Sequence, residues 1–375
     1  MNDDERLCSI ALTQCPGIGT AIARRLVTTV GSAAEVFRRR DELLTLVPGL
    51  RQQAVDALNC PEAFARAEDE LRFAEKSKIR VLTYFDPDYP SRLRECDDAP
   101  VVLYYRGNAG LNALRVVAIV GTRRATEYGK RFCDSFVHDL AALCHDVLIV
   151  SGLAFGIDIH AHRAALAHGL PTVGVLGHGL DRIYPPSHRS SAIAMLDRGG
   201  LLTEFVHGTG PDRYNFVSRN RIIAGLSDAT IVVESNAKGG SLITAAISLD
   251  YHRDCFALPG RADDPHSEGC NRLIRDNKAG LICNAEDFVR AMNWSSPDAM
   301  EALKNHQPVQ RSLFVELDDD QQRIASCLAQ SGDQHINALS VATDIPVGKL
   351  AAMLFDMEMK GAVKALAGGC YHLLA

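Results

Sequence analysis

The chain has no run approaching the eighteen or so consecutive apolar residues that a membrane helix requires, which excludes a membrane span. It also lacks an excess of positive charge. Its 40 Lys and Arg stand against 46 Asp and Glu, leaving a formal net charge of −6. A basic coat for nucleic acid is therefore excluded, although a local basic site is not. None of the eleven cysteines falls in a Cys-x-x-Cys pair, and an odd, unpaired set fits a reducing cytoplasm better than a disulfide framework. The acidic start, Met1-Asn2-Asp3-Asp4-Glu5, leads into no long apolar run, so no secretory signal is expected. His160-Ala161-His162 has no Cys, Asp or His nearby at a familiar ligand spacing. We expect surface or capping histidines there, and no metal.

What is present is the ordinary balance of a globular protein, 47% apolar and 23% charged over 375 residues, a length that suggests two or three domains. Residues 1–68 read as short helices. Pro16-Gly17-Ile18-Gly19 and Val47-Pro48-Gly49-Leu50 each separate two apolar helical stretches, a helix, Pro-Gly turn, helix pattern used twice. It resembles a tandem helix-hairpin-helix, or SAM-like, module. Seven acidic and seven basic residues cancel over 1–60, so a structural role is as well supported as DNA contact. Gly17-Ile18-Gly19-Thr20-Ala21-Ile22 half-matches a dinucleotide fingerprint, but it follows a helix rather than a strand and is set aside.

Residues 69–292 alternate strand-like and helical patterns. Candidate strands lie at 80–84, 101–105, 116–120, 147–150, 172–176, 201–206, 230–234, 255–258 and 281–283, with helices such as 130–143 and 157–168 between them. The alternation predicts an α/β fold with a doubly wound parallel sheet, whose ligand site lies at the carboxyl ends of the strands. Residues 293–315 read as a linker. From 316 to 375 three helices and a Gly-turned hairpin make a winged-helix pattern. That last segment carries eight acidic and four basic residues, and its recognition helix sets Lys349 and Lys360 against Asp356 and Glu358, which favours protein contact or plain packing over DNA.

Four strand-end loops carry the candidate chemistry. Gly121-Thr122-Arg123-Arg124 offers helix-start amides and two guanidinium groups to a phosphate. It is not a Walker A loop, because Gly129-Lys130 lies too far on and is followed by Arg131. Ser151-Gly152-Leu153-Ala154-Phe155-Gly156-Ile157-Asp158 allows close backbone approach to an anion, with Asp158 placed to cap the next helix. Asp212 to Arg221 interleaves three arginines with Tyr214 and Phe216, the combination that holds a phosphate while a ring stacks a base. Lys238-Gly239-Gly240-Ser241 opens a fourth helix. There is no Gly-x-Ser-x-Gly elbow, no His-Glu-x-x-His and no poised carboxylate pair. Anion receptors without a nucleophile or base favour binding over catalysis, so neither a catalytic residue nor a cofactor is expected.

These residues resemble the DprA/Smf family, the DNA-processing proteins of natural transformation. The matching strings are Tyr89-Pro90-Ser91-Arg92-Leu93, Val117 to Arg124, Ser151 to Asp158 with Ala161-His162, and Gly179-Leu180-Asp181-Arg182-Ile183-Tyr184-Pro185. They continue with Arg219-Asn220-Arg221-Ile222-Ile223-Ala224-Gly225-Leu226, Gly240 to Ala245, and Leu258-Pro259-Gly260. The resemblance implies an extended Rossmann core that dimerises, flanked by a helical module and a winged-helix-like domain. It also implies a cytoplasmic protein that binds and protects single-stranded DNA and helps to load the RecA recombinase. Arg123 would hold phosphate, Arg213 would take the basic position three before the aromatic, Phe216 would stack a base, and Arg219 and Arg221 would complete the pocket. The full expected nucleic-acid set is Arg123, Arg124, Ser151, Gly152, Arg213, Phe216, Arg219, Arg221, Gly240 and Ser241. Two positions depart from the family pattern. Gly239 replaces a usual Ser, and His207 replaces a common Pro, with an effect expected on loop stiffness alone. Two other readings stand beside this one. A nucleoside-monophosphate phosphoribohydrolase would need a Glu after its Gly-Gly turn, where this chain has Ser241-Leu242-Ile243-Thr244-Ala245-Ala246. A protein-interaction scaffold would use the acidic terminal segment.

Overall fold

The computed structural model describes residues 3–294, 317–366 and 369–374. They fall into two compact units, Met1–Ser295 and Ser296–Ala375.

The first unit is built on a nine-stranded sheet. Its strands are β1 (Arg80–Thr83), β2 (Val102–Gly107), β3 (Arg115–Val120), β4 (Val147–Ser151), β5 (Thr172–Val175), β6 (Gly200–Thr203), β7 (Ala229–Val232), β8 (Asp254–Ala257) and β9 (Gly280–Leu281). The spatial order is β1-β2-β6-β5-β4-β3-β7-β8-β9. All seven strands from β6 to β9 are parallel, and β3 to β7, with the other crossovers, alternate with helices as the sequence pattern requires. β3, β4 and β7 are buried almost throughout, which is why they read as continuous apolar runs rather than alternating ones.

Two features differ from the expectation of a purely parallel sheet. β1 pairs with β2, and β2 with β6, antiparallel. No long crossover helix separates β1 from β2, only the four-residue helix Ser91–Arg94, and without a crossover the two neighbours must run in opposite directions. The run 201–206 also stops being a strand at Thr203. Its last residues turn away to meet the N-terminal helices, with Val206 packed against their apolar cluster.

The expected boundary at residue 68 falls inside the helix Pro61–Lys76. Ala63, Ala67, Glu70 and Ala74 are its buried face. Ile10, Leu12, Leu26, Val36 and Leu43 from the N-terminal helices share one cluster with Val81, Val102 and Tyr104 of β1 and β2. The helical segment is thus the cover of the antiparallel sheet extension and shares its core. Gly17 and Gly19 lie between the helices Asp3–Gln14 and Thr20–Val30, the context that disqualified them as a dinucleotide loop. His162 is a core residue, contrary to the surface or capping role expected. It is fully buried, with Nδ1 2.7 Å from Thr172 Oγ1.

The second unit has helices Asp319–Ser331, Ile336–Thr343 and Val347–Met359 with a small antiparallel sheet, in which Cys370–Leu373 lies between Gln334–His335 and Val363–Leu366. This is a winged-helix arrangement. Asp318 and Gln321 form a reciprocal capping box that starts the first helix. The expected linker lies outside the described residues, apart from Asn293 and Trp294. No single described helix is long and apolar enough to cross a membrane.

Candidate nucleic-acid interface

The chain enters the parallel sheet at its middle. From β3 it winds outward through β4 and β5 to β6, then crosses back to β7 beside β3 and winds the other way. The loops after β3 and β7 therefore diverge, and such a switch point leaves a crevice at the strands' carboxyl ends. Here it holds a cleft of about 500 Å³ lined by residues of all four candidate loops, among them Arg123, Asp158, Arg213, Phe216, Lys238 and Ser241.

Local bonding explains how each loop is held. Glu234, at the end of β7, is buried and accepts hydrogen bonds from the N–H of Thr126 at 2.9 Å and from its hydroxyl. Thr126 in turn caps the helix Glu127–Leu143. The Thr122 N–H donates to the Glu234 carbonyl at 2.7 Å. Between these anchors Arg123 stands exposed, its guanidinium 5.7 Å from the centre of the Phe216 ring. Phe216 is also stacked on Tyr184, with ring centres 5.7 Å apart and planes 30° from parallel. Phe216 sits on the short helix Arg213–Ser218, started by Asp212, whose carboxylate accepts the Tyr214 N–H at 2.7 Å.

The charge at the mouth is one-sided. Arg123, Arg213 and Lys238 are exposed and have no ion-pair partner among the described residues. Asp158 is the one acidic residue lining the cleft among the described residues, and it is buried. Burial raises its pKa, opposed first by the neighbouring Arg219. Its carboxylate accepts the Ala154 N–H at 3.3 Å, bracing the loop before the helix Ile157–Ala167, where the N-cap is Gly156. Three uncompensated cations round a stacked ring can hold a phosphate chain and a base together.

A family model described as DNA recombination-mediator protein A matches residues 80–293, and a second, described as the DprA winged helix domain, matches residues 312–369. The chain belongs to the DNA recombination-mediator protein A family. Among relatives, it is 35% identical to Protein Smf of Escherichia coli, over 82% of this chain and 80% of that protein. It is 37% identical to the DNA processing protein DprA of Streptococcus pneumoniae, over 61% and 79%. The X-ray structure of the Streptococcus pneumoniae protein superposes with a TM-score of 0.60 at 31% identity, covering 77% of this chain and 98% of that one. DNA processing protein A from Helicobacter pylori, whose structure describes a single-stranded DNA binding mode, gives 0.52 at 30% identity, covering 57% and 95%.

Within this DprA-type core, the ten expected site residues divide into groups. Arg123, Arg213, Phe216, Arg219, Gly240 and Ser241 line the one cleft. Arg124 is exposed but outside the lining. Ser151 is fully buried, and its hydroxyl donates to the Ile119 carbonyl at 2.6 Å, so it braces β4 against β3. Gly152 is explained without a ligand. A Cβ there would lie 1.8 Å from Nη1 of Arg219. Arg219 is itself buried, Nη1 donating to the Val175 carbonyl at 2.8 Å, and burial lowers its pKa to about 10. Its Nε has no hydrogen-bond partner among the described residues. Arg221 does not complete the pocket. It points to the other side of its helix, where it pairs with Glu204 and donates to the Asp98 carbonyl at 2.6 Å. The two arginines lie two residues apart on a helical path, about 200° round, and so face opposite ways.

Sequence reasoning missed three contributions. Tyr184 forms the second face of the aromatic stack; it stood in the family-like string Gly179 to Pro185 but was given no role. Lys238, named at the head of the fourth candidate loop but left out of the expected binding set, supplies a third free cation. His207 does far more than adjust loop stiffness. Its N–H donates to Glu70 at 2.9 Å, Nε2 lies 3.2 Å from Asp69, and its ring stacks on Phe73 at 4.5 Å. The helix Pro61–Lys76 thereby holds the loop that leads into Arg213 and Phe216.

Proposed function

We propose that this protein is a single-stranded DNA-binding recombination mediator, acting in the cytoplasm on incoming DNA during natural transformation. The observation that carries this reading is the ring of three unpaired cations, Arg123, Arg213 and Lys238, round the partly exposed Phe216 at the switch-point cleft. Phosphates would sit on the cations and on the free amides that open the helix Gly240–Asp250. One base would stack on Phe216. The buried hydroxyl of Ser241 and the Nε of Arg219, both without a partner among the described residues, supply further donors at the floor. The stronger claims, loading of RecA and dimerisation through the Rossmann-type core, rest on the family membership.

Binding rather than catalysis is the better reading of the acids. Glu234 is spent on Thr126 and Asp158 on its own loop, so neither stands ready as a base or nucleophile. Fluorescence anisotropy with labelled single- and double-stranded oligonucleotides, across a salt series, tests the proposal. Wild type is expected to prefer the single strand, with affinity falling steeply with salt, and Arg123→Glu to bind weakly at every salt. Equal binding by Arg123→Glu at fixed salt would overturn the cleft as the site. Release of free base from a nucleoside monophosphate would reinstate the enzyme. RecA loading is read separately, as faster RecA filament growth on coated single strands.

A further inference from the structure

The helix Val347–Met359 occupies the recognition position of the winged-helix unit, and its apolar residues spread beyond the face buried in that unit. Leu350, Leu354 and Met357 are buried against Ile324, Leu328 and Leu339 in the unit's core. Flanking that buried face, Val347, Ala351, Phe355 and Met359 recur every four residues and so form one row along the helix. Val347 is 43%, Phe355 65% and Met359 74% exposed, and Val341, on the helix Ile336–Thr343 that meets this one at 107°, is 85% exposed. An apolar surface that extends past the buried face of a helix as a contiguous exposed row marks an interaction surface.

The surrounding charge selects the kind of partner. Lys349 and Lys360, the two cations on or beside this helix, are both taken up inside the unit, Lys349 by Asp320 and Lys360 by Asp356, each at 2.6 Å. Arg323 also pairs with Asp320. Asp319 and Asp344 remain exposed with no ion pair among the described residues, and Asp344 lies three residues before Val347. The segment from residue 316 carries a formal charge of −4, with eight acidic and four basic residues. Duplex DNA and a second, equally acidic copy of the same unit are both repelled by this surface. We infer that the exposed row docks an amphipathic helix of another protein, one with aliphatic residues at i, i+3, i+4 and i+7 and Lys or Arg on its flanks.

The test uses the full chain and a labelled synthetic peptide of leucine and lysine, with leucines on one helical face. A second peptide replaces every lysine by glutamate. Wild type is expected to bind the lysine peptide saturably and the glutamate peptide roughly ten-fold or more weakly. Phe355→Ser should weaken the lysine peptide by a similar factor, by removing the largest side chain of the row. Ala351→Arg provides a second variant that blocks the row while leaving every buried residue in place, so misfolding cannot account for a shared loss. The inference is overturned if both variants bind like wild type, or if the two peptides bind alike. It also fails if sedimentation shows self-association that Ala351→Arg abolishes, because the occupant is then a second copy. Loss of duplex DNA binding in Phe355→Ser would reassign the surface to nucleic acid.

Discussion

Replacing Gly152 by alanine tests whether the glycines of the strand-end loops serve a ligand or the protein's own packing. An added Cβ would lie 1.8 Å from Nη1 of Arg219 and 2.3 Å from its Cζ, against an ordinary contact of about 3.5–4 Å, so the guanidinium must retreat by about 2 Å. Arg219 is only 3% exposed and tied to the Val175 carbonyl, so the retreat strains the packing and breaks that bond. Overpacking costs about 1–3 kcal/mol and loss of a charged hydrogen bond about 1.5–3, a total of roughly 3–6 kcal/mol. At about 2–4 °C per kcal/mol for a unit of this size, the first unit should melt about 6–24 °C lower. Gly240→Ala is the matched control. Nothing lies within 4 Å of its Cβ, and its position opening a helix suits alanine, so stability should hold or rise slightly. Differential scanning calorimetry of the two variants reads the contrast. A Gly152→Ala protein melting within a degree of wild type would refute the internal-packing account, and Gly240→Ala melting as low as Gly152→Ala would refute the contrast between them.

Phe216→Ala should weaken single-strand binding by about 1–3 kcal/mol while leaving the salt dependence unchanged, since it removes a stacked base but no phosphate contact. Arg123→Ala should instead flatten the plot of log affinity against log salt by about 0.7 per lost contact, read in the same titrations. Glu70→Ala leaves His207 and Arg66 without their buried carboxylate and is expected to cost about 3–5 kcal/mol in urea denaturation, with single-strand affinity reduced because the loop into Arg213 is released. His162 contributes an acid-sensitive step. Burial, reinforced by Arg219 and His188, lowers its pKa from 6.5 to about 3. The unfolded chain then binds the extra proton first, so stability is full above about pH 6.5 and falls by up to about 5 kcal/mol as pH drops toward 3. His162→Gln should shallow that slope, and an unchanged slope would show that His162 is not its source.

The alternation of apolar runs and amphipathic helices was enough to place every large-sheet strand and to put the site at strand ends, because backbone periodicity follows directly from which faces are buried. The two antiparallel pairings, both made by β2, were not legible. Strand direction depends on the connection's path, and Val81 or Leu103 carries no mark of it. Among the arginines, composition could gather Arg213, Arg219 and Arg221 into one stretch but could not sort them. Arg213 is exposed, Arg219 is buried under Gly152, and Arg221 is turned to Glu204.

By itself, then, the sequence determined the fold class, the winged-helix end, the family and the loops where anion receptors concentrate, all properties of local pattern and ordered motifs. Tertiary structure alone decided which of those receptors are free. Pairing is a matter of what lies across space, and the partners of Arg219, Arg221 and His207 come from segments up to 141 residues away, the distance from Arg66 to His207 along the chain. The same logic governs the terminal unit, where the lysines of the recognition helix are spent on Asp320 and Asp356 and the row that remains exposed is apolar.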